Sequence, residues 1–338
     1  MVNKATRWWK TVVWTLVAGI MSLVVLWFIP TPDVVIAPGV TGNLADMVHV
    51  QHGHGPGRGR LMMVAVSIFP ANALVYLYAR LDPALQLLSR QKAIGNLTMR
   101  QYEQFNVAQM QMSQNTAEVV GERLAGLPAQ SVIKPGAVVS TVLHGPAQGK
   151  LHRGDWIVRI GPYPVTHFSQ VWPIMSRFHV GDVVTFSVIR GGRTMEIPIR
   201  TIHMAGDPRP AVGVILAPKV HYIIPARVHI SSQGIGGPSA GMMFALEIYE
   251  QITGRNVARG RQIAGTGEIF ANGKVGMIGG IGQKVVTVER AGASILLCPT
   301  ANYAQARAMK RRMGYHHLTI YPVANIHQAL ADLSKSGT

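Results

Sequence analysis

Acidic side chains are scarce in this chain. Fifteen Asp and Glu residues stand against 32 Lys and Arg, for a formal charge of +17 over 338 residues. Charged residues of both signs make up only 14% of the chain while apolar ones reach 48%. That balance implies a membrane element beside ordinary apolar cores, with room for two or three domains. Cysteine is nearly absent too, and the single Cys298 excludes an internal disulfide framework. Within Ile295–Pro299 it reads as a small core residue of a buried strand, not as a reactive thiol. The excess of base comes without zinc-finger spacing and without an aromatic RNA-binding signature. The basic residues are dispersed, and the densest group, Lys310-Arg311-Arg312, ends a predicted helix, where cations complement the dipole. Nucleic acid is therefore not an expected partner; anionic lipid or wall polymer suits the charge better.

The longest run without any charge lies near the N-terminus. After Lys4, Arg7 and Lys10, residues 11–29 carry none, and Pro30 ends the run. That is about the length that crosses a bilayer. Trp8, Trp9, Trp14 and Trp27 lie near its two ends, where interfacial aromatics belong. Residues 1–30 are thus expected to be a cytoplasmic tip and a transmembrane helix, single-pass, with everything after Pro30 outside the cytoplasm. A cleaved signal peptide is the rival reading; the run is long for one, and no clear small-x-small site follows.

Residues 31–131 read as a linker and accessory region. Pro32, Pro38 and Pro56 with several glycines mark 31–60 as a linker, and the histidines of Gln51–Arg58 sit in a flexible glycine-rich stretch without clustered carboxylates, so no metal is expected there. Residues 61–69 read as a strand and 103–123 as a polar-faced helix to which no chemistry is assigned. From 132 to 203 short strands dominate, among them 183–189 and 194–199 joined by a Gly191-Gly192 turn. From 205 to 333 strands alternate with helices, an α/β (α+β) pattern.

Two glycine-rich strings in that last region carry candidate chemistry. In Gly236-Gly237-Pro238-Ser239-Ala240-Gly241 a serine hydroxyl sits at the mouth of a helix. Pro238 suits a first turn, the small neighbours leave room for a substrate backbone, and the helix start offers N–H groups to an oxyanion. A helix-capping serine would look the same. In Gly279-Gly280-Ile281-Gly282-Gln283-Lys284 a lone lysine starts another helix. A lysine made neutral by burial can serve as a base, and Ser-Lys pairs are a variant of the serine-histidine arrangement. Taken alone, a surface lysine remains the competing reading.

Resemblances bring these strings together. The segment 132–203 resembles a PDZ domain, most specifically in Gly145-Pro146-Ala147-x-Gly149-x-Leu151-x-x-Gly154-Asp155-x-Ile157. PDZ domains add an extended peptide to a sheet edge. The resemblance implies a carboxylate-binding loop near Val132–Gly136, where a Gly-Leu-Gly-Phe-like sequence is absent. The segment 205–333 resembles the proteolytic domain of Lon, a family of Ser-Lys peptidases. The matching residues are Gly237–Gly241, Thr266-Gly267-Glu268-Ile269, Gly279-Gly280-Ile281-x-x-Lys284 and Arg290-Ala291-Gly292. The resemblance implies Ser239 as nucleophile, Lys284 as general base and Thr266 as the residue orienting the lysine. Gly237, Pro238 and Ala240 would support the turn and its oxyanion donors. The whole order is similar to bacterial membrane-anchored, PDZ-containing Lon-like proteases.

Unlike full-length Lon, this sequence has no Gly-x-x-x-x-Gly-Lys-Ser/Thr phosphate loop. The expectation is ATP-independent cleavage of extracytoplasmic peptides or unfolded segments, with PDZ-assisted recognition, no metal and no cofactor. A homo-oligomer, hexameric by analogy with Lon, is implied as well. The alternative is a membrane-anchored PDZ scaffold with an inactive peptidase fold. A His-Asp-Ser protease would place its PDZ domain after the catalytic region, and a Ser-Lys signal peptidase would place its serine just beyond the membrane segment; neither order is found.

Overall fold

The computed structural model describes residues 4–95, 97–204 and 207–335. Two cores organise the chain after an N-terminal helix, α1 (Lys4–Phe28). The first core surrounds a six-stranded sheet. Its strands are β1 (Pro30–Asn43), β2 (Arg60–Asn72) and β3 (Gln86–Ser89) from the N-terminal third, and three from the C-terminal third. A long helix, α2 (Met99–Leu124), follows them.

The second unit holds β4 (Gln130–Val142), β5 (Trp156–Ile160), β6 (Val183–Arg190), β7 (Arg193–Arg200) and β8 (Val214–Ile223), in sheet order β8-β4-β5-β6-β7. Gly191-Gly192 closes the β6–β7 hairpin as expected, with φ of 57° and 79°. Alternate residues Ala137, Val139, Ile157, Phe186, Val188 and Ile199 point into a common apolar core. Asp155, 1% exposed, is held in two hydrogen bonds from Arg190, each 2.7 Å. A buried carboxylate needs such a partner.

The chain then returns to the first core with α3 (Gly241–Thr253), β9 (Gln262–Gly265), α4 (Ile281–Arg290), β10 (Ile295–Pro299), α5 (Tyr303–Arg312), β11 (Thr319–Val323) and α6 (Ile326–Lys335). The sheet order is β11-β10-β9-β2-β1-β3. Strands β2, β9, β10 and β11 run parallel, and β1 is antiparallel to both its neighbours. Period-2 alternation divides the side chains between two faces. Leu61, Met63, Ile263, Ile295 and Leu297 pack under α3, α6 and α2. Met62, Val64, Ala264, Leu296 and Cys298 pack under α4 and α5. Both faces are covered, so these strands read as unbroken apolar runs. Phe244 and Leu246 of α3 are fully buried, each worth roughly 2 kcal/mol in surface removed from water.

Two expectations need correction. Residues 31–60 are not a linker throughout. Most of β1 lies there, with Val34, Val35 and Ile36 buried against β2 and β3. The proline and glycine that read as linker, Pro38 and Gly39, lie where the β1–β2 register shifts between Pro38 and Thr41, and irregularities of this kind tolerate both. Second, Val132–Gly136 is no open carboxylate-binding loop. It is part of β4, with Ile133 opposite Val220 and Lys134 opposite Lys219 of β8, and the Pro135 carbonyl accepts from Trp156 Nε1 at 2.8 Å. Strand β8 pairs along β4 in the second unit's sheet, although most of it lies inside the 205–333 segment.

The membrane expectation falls on α1. Among the described residues no helix is long and apolar enough to cross a membrane. The expected span falls on α1, and part of its start (residues 4–7, 10 and 11) lies outside the residues whose side chains are described.

Candidate active site

Ser239 lies in a single 3-10 turn, Pro238–Ala240, that leads directly into α3. Gly237 caps that turn with φ of 92°, a left-handed conformation that an L side chain would strain. Pro238 occupies the first position, where the missing N–H costs nothing. The α-helix proper begins two residues after Ser239, and the serine stands on its threshold, half-buried.

Lys284 comes from the opposite face of the sheet. It is the fourth residue of α4, whose packing residues Ile281, Val285 and Val288 are fully buried. The lysine is itself only 2% exposed. Its Nζ lies 2.7 Å from Ser239 Oγ and 2.7 Å from Thr266 Oγ1. The Thr266 hydroxyl accepts from the lysine and donates its own proton to the Ser239 carbonyl at 3.1 Å. Thr266 is fully buried just after β9, and its N–H donates to Leu297 of β10 at 3.0 Å. The three side chains singled out in the sequence are thus brought together in one contact.

Burial lowers the Lys284 pKa from the ordinary 10.5 to about 7. Desolvation is the cause: an ammonium with few polar neighbours loses its hydration, so the neutral amine is favoured. At neutral pH a substantial share of the lysine is the free base, and its lone pair can receive the serine proton across 2.7 Å.

The backbone fixes where a negative oxygen could be held. The Gly237 N–H donates to the Asn106 carbonyl at 2.8 Å, so in this conformation it is engaged. The Ser239 carbonyl accepts from the Gly267 N–H at 2.7 Å. The donors left to consider at the turn are the N–H groups of Ser239 and Ala240, at the positive end of α3.

Other histidines and acids lie apart from this cluster. Among the described residues no group of three His, Cys, Asp or Glu is placed to hold a metal ion. Cys298 is buried, and burial raises its thiol pKa to about 12. Two residues near the site were missed from the sequence, Asn106 and Ser113 of α2. The available signal was the stripe Ser113, Ala117, Gly121, small side chains at every fourth position, which allows close helix approach.

Comparison with known proteins finds a family match over this region. Residues 216–335 match the Lon protease (S16) C-terminal proteolytic domain. The C-terminal unit is therefore similar to the proteolytic domain of Lon serine proteases. Lon protease 1 of Herpetosiphon aurantiacus is 40% identical over 84 residues, covering 25% of this chain and 10% of that protein. Lon protease 1 of Bacillus subtilis is 33% identical over 89 residues, covering 26% of this chain and 11% of that protein. The chain thus spans only about a tenth of these relatives' length. Among solved structures, the PDZ domain of an SdrC-like protein from Listeria monocytogenes is 23% identical with a TM-score of 0.24, covering 25% of this chain and 92% of that one. The corresponding domain from Listeria innocua is 24% identical with a TM-score of 0.23, covering 26% and 98%.

Proposed function

We propose that this protein is a serine endopeptidase that uses Ser239 as nucleophile and Lys284 as general base, without ATP, on extracytoplasmic peptides or unfolded protein segments. The observation that carries the reading is the 2.7 Å contact between Ser239 Oγ and a buried lysine whose pKa falls to about 7. Neutral Lys284 takes the hydroxyl proton as Oγ bonds to the peptide carbonyl carbon. The carbonyl π electrons move to oxygen, where first-turn N–H groups stabilise the charge. Collapse of that intermediate breaks the C–N bond, and the Lys284 ammonium returns its proton to the departing amine. Lys284 then takes a proton from the water that attacks the ester, and returns it to Ser239 Oγ as the acyl group leaves. Thr266 keeps the Nζ aimed at Oγ throughout.

Recognition is assigned to the β-rich second unit, as a PDZ-like module. A groove of about 330 Å³ lies there between the helical turn Val171–Met175 and the outer strand β8, lined by Leu143, Phe168, Trp172, Phe186, Val214 and Leu216. An extended apolar peptide could add its backbone to an outer strand and its side chains to such a groove. The membrane anchor is proposed on α1. Trp14, Leu16, Ile20, Leu23, Val25 and Phe28 are each at least half exposed and surround the helix, and an apolar helix without protein cover calls for an apolar solvent.

The test is hydrolysis of fluorescein-labelled casein by the full chain in detergent, without ATP, beside Ser239→Ala with matched circular dichroism. Cleavage lost in Ser239→Ala is the expected result. Equal cleavage by both would refute the nucleophile, and none by either would favour the scaffold alternative.

A further inference from the structure

Helix α2 lies outside the segment that matches the Lon-type domain, yet it reaches the nucleophile's turn at two points. The Asn106 carbonyl accepts from the Gly237 N–H at 2.8 Å. Two turns further on, Ser113 Oγ donates to the Pro238 carbonyl at 2.9 Å. Ser113 is 4% exposed, so this bond is made with little competition from water. The fit is close. A Cβ added to Gly241 would stand 2.5 Å from Ser113 Oγ, so the glycine after the nucleophilic turn is what admits the hydroxyl.

The turn is held from the other side as well. Gly267 N–H and Thr266 Oγ1 both donate to the Ser239 carbonyl, at 2.7 and 3.1 Å. The carbonyls of Pro238 and Ser239 are therefore each tied to a different element, one to α2 and one to the segment after β9. Two anchors on successive peptide groups fix the rotation of the Ser239 backbone and with it the direction of Oγ toward Lys284. Without Ser113 the Pro238 carbonyl keeps only the Gly241 N–H of its own turn, so its tie to α2 is lost while the lysine, held by burial in α4, stays in place.

We propose that Ser113 is a positioning residue for the nucleophile: its hydroxyl locks the Pro238–Ser239 peptide so that Ser239 Oγ stays in line with Lys284 Nζ. This rests on the Ser-Lys reading above. Ser113 touches neither substrate nor the reacting atoms, so its loss affects how often the dyad is aligned and not how substrate binds. Positioning of this kind acts on kcat, because a misplacement of about 1 Å at a reacting pair costs up to about a hundredfold in rate.

The experiment compares Ser113→Ala, Ser113→Cys and wild type on labelled casein, with kcat and KM separated, a pH profile and thermal unfolding for each. Ser113→Ala is expected to lower kcat about tenfold or more with KM within about twofold, and to leave the pH midpoint unmoved because Lys284 remains buried. Ser113→Cys, which keeps a weak donor, is expected to fall between the two. A kcat equal to wild type in Ser113→Ala overturns the inference, as does a loss confined to KM or one explained wholly by a smaller folded fraction. A wild type with no Ser239-dependent hydrolysis overturns the Ser-Lys reading and this inference together, whereas unchanged variants of an active wild type overturn this inference alone.

Discussion

The pH dependence of hydrolysis tests the lysine directly. A lysine at its ordinary pKa of 10.5 would be neutral in only about 3 molecules in 10,000 at pH 7, whereas one lowered to about 7 is half neutral there, a gain of about a thousandfold in usable base. The reaction rate, read as kcat/KM on labelled casein, should then rise about tenfold per unit below pH 7 and level off above about pH 8. The same shift has a consequence for stability, and its sign is fixed. Between about pH 7 and 10.5 the unfolded chain holds this proton and the folded chain does not. Stability from this group therefore rises with pH across that window, by up to about 1.4 kcal/mol per unit, and reaches its low plateau below pH 7, where the buried amine must carry charge. Three carboxyls also titrate in this range, since burial raises Glu118 and Glu247 to about 7 and Glu122 to about 6. Glu118→Gln, Glu122→Gln and Glu247→Gln are the controls, and the activity midpoint should stay in place in all of them. A flat profile from pH 5.5 to 8.5, a midpoint near 10, or a midpoint that vanishes with any of these glutamates would refute the argument from desolvation.

Two further outcomes follow from single contacts. Thr266→Val removes the acceptor 2.7 Å from Lys284 Nζ and the donor to the Ser239 carbonyl while preserving shape; kcat should fall about tenfold or more, measured on casein, with circular dichroism unchanged. Asp155→Ala leaves Arg190 without its buried partner; the β-rich unit should lose about 2 kcal/mol in chemical denaturation, while the Ser239–Lys284 contact, built on the other core, should persist as unchanged hydrolysis of short unstructured peptides.

What could be read from the sequence was what is local. Ser239 and Lys284 stand in short strings whose proline and glycines have local roles: Pro238 starts the turn, Gly237 takes a positive φ, and Gly280 caps α4 with φ of 66°. The Gly191-Gly192 hairpin and the alternating strands of the second unit were legible for the same reason. What was not legible depends on distant pairing. Strand β1 carries the glycine and proline signals of a linker, and only its pairing with β2 and β3 shows that those residues mark an irregular strand. Val132–Gly136 could be taken for a loop because nothing in the segment announces its partner β8, some eighty residues on. Ser113 offered no chemical motif at all; its partner Pro238 is 125 positions away, and a serine inside a polar-faced helix has many bland explanations.

The same distance dependence explains how the α/β unit is built. Its sheet joins two blocks of different origin: β3, β1 and β2 come from the first 89 residues, while β9, β10 and β11 come from the last 77, joined where Ile263 lies beside Leu61. Met62 and Met63, from that early segment, bury into opposite faces of the late one. The β-rich unit is inserted between these halves, and β4 and β8 form the two-stranded stem by which it leaves and returns. Helix α2 precedes that stem, packs on α3 and touches the Ser239 turn. An insertion flanked in this way shares no core with the dyad, since the apolar cores of the two units are separate. It does share the stem and the helix leading into it. The turn bearing Ser239 is therefore held by a segment that also leads into the inserted unit, and it is a second place, beside the Ile263–Leu61 pairing, where the two halves of the α/β unit meet.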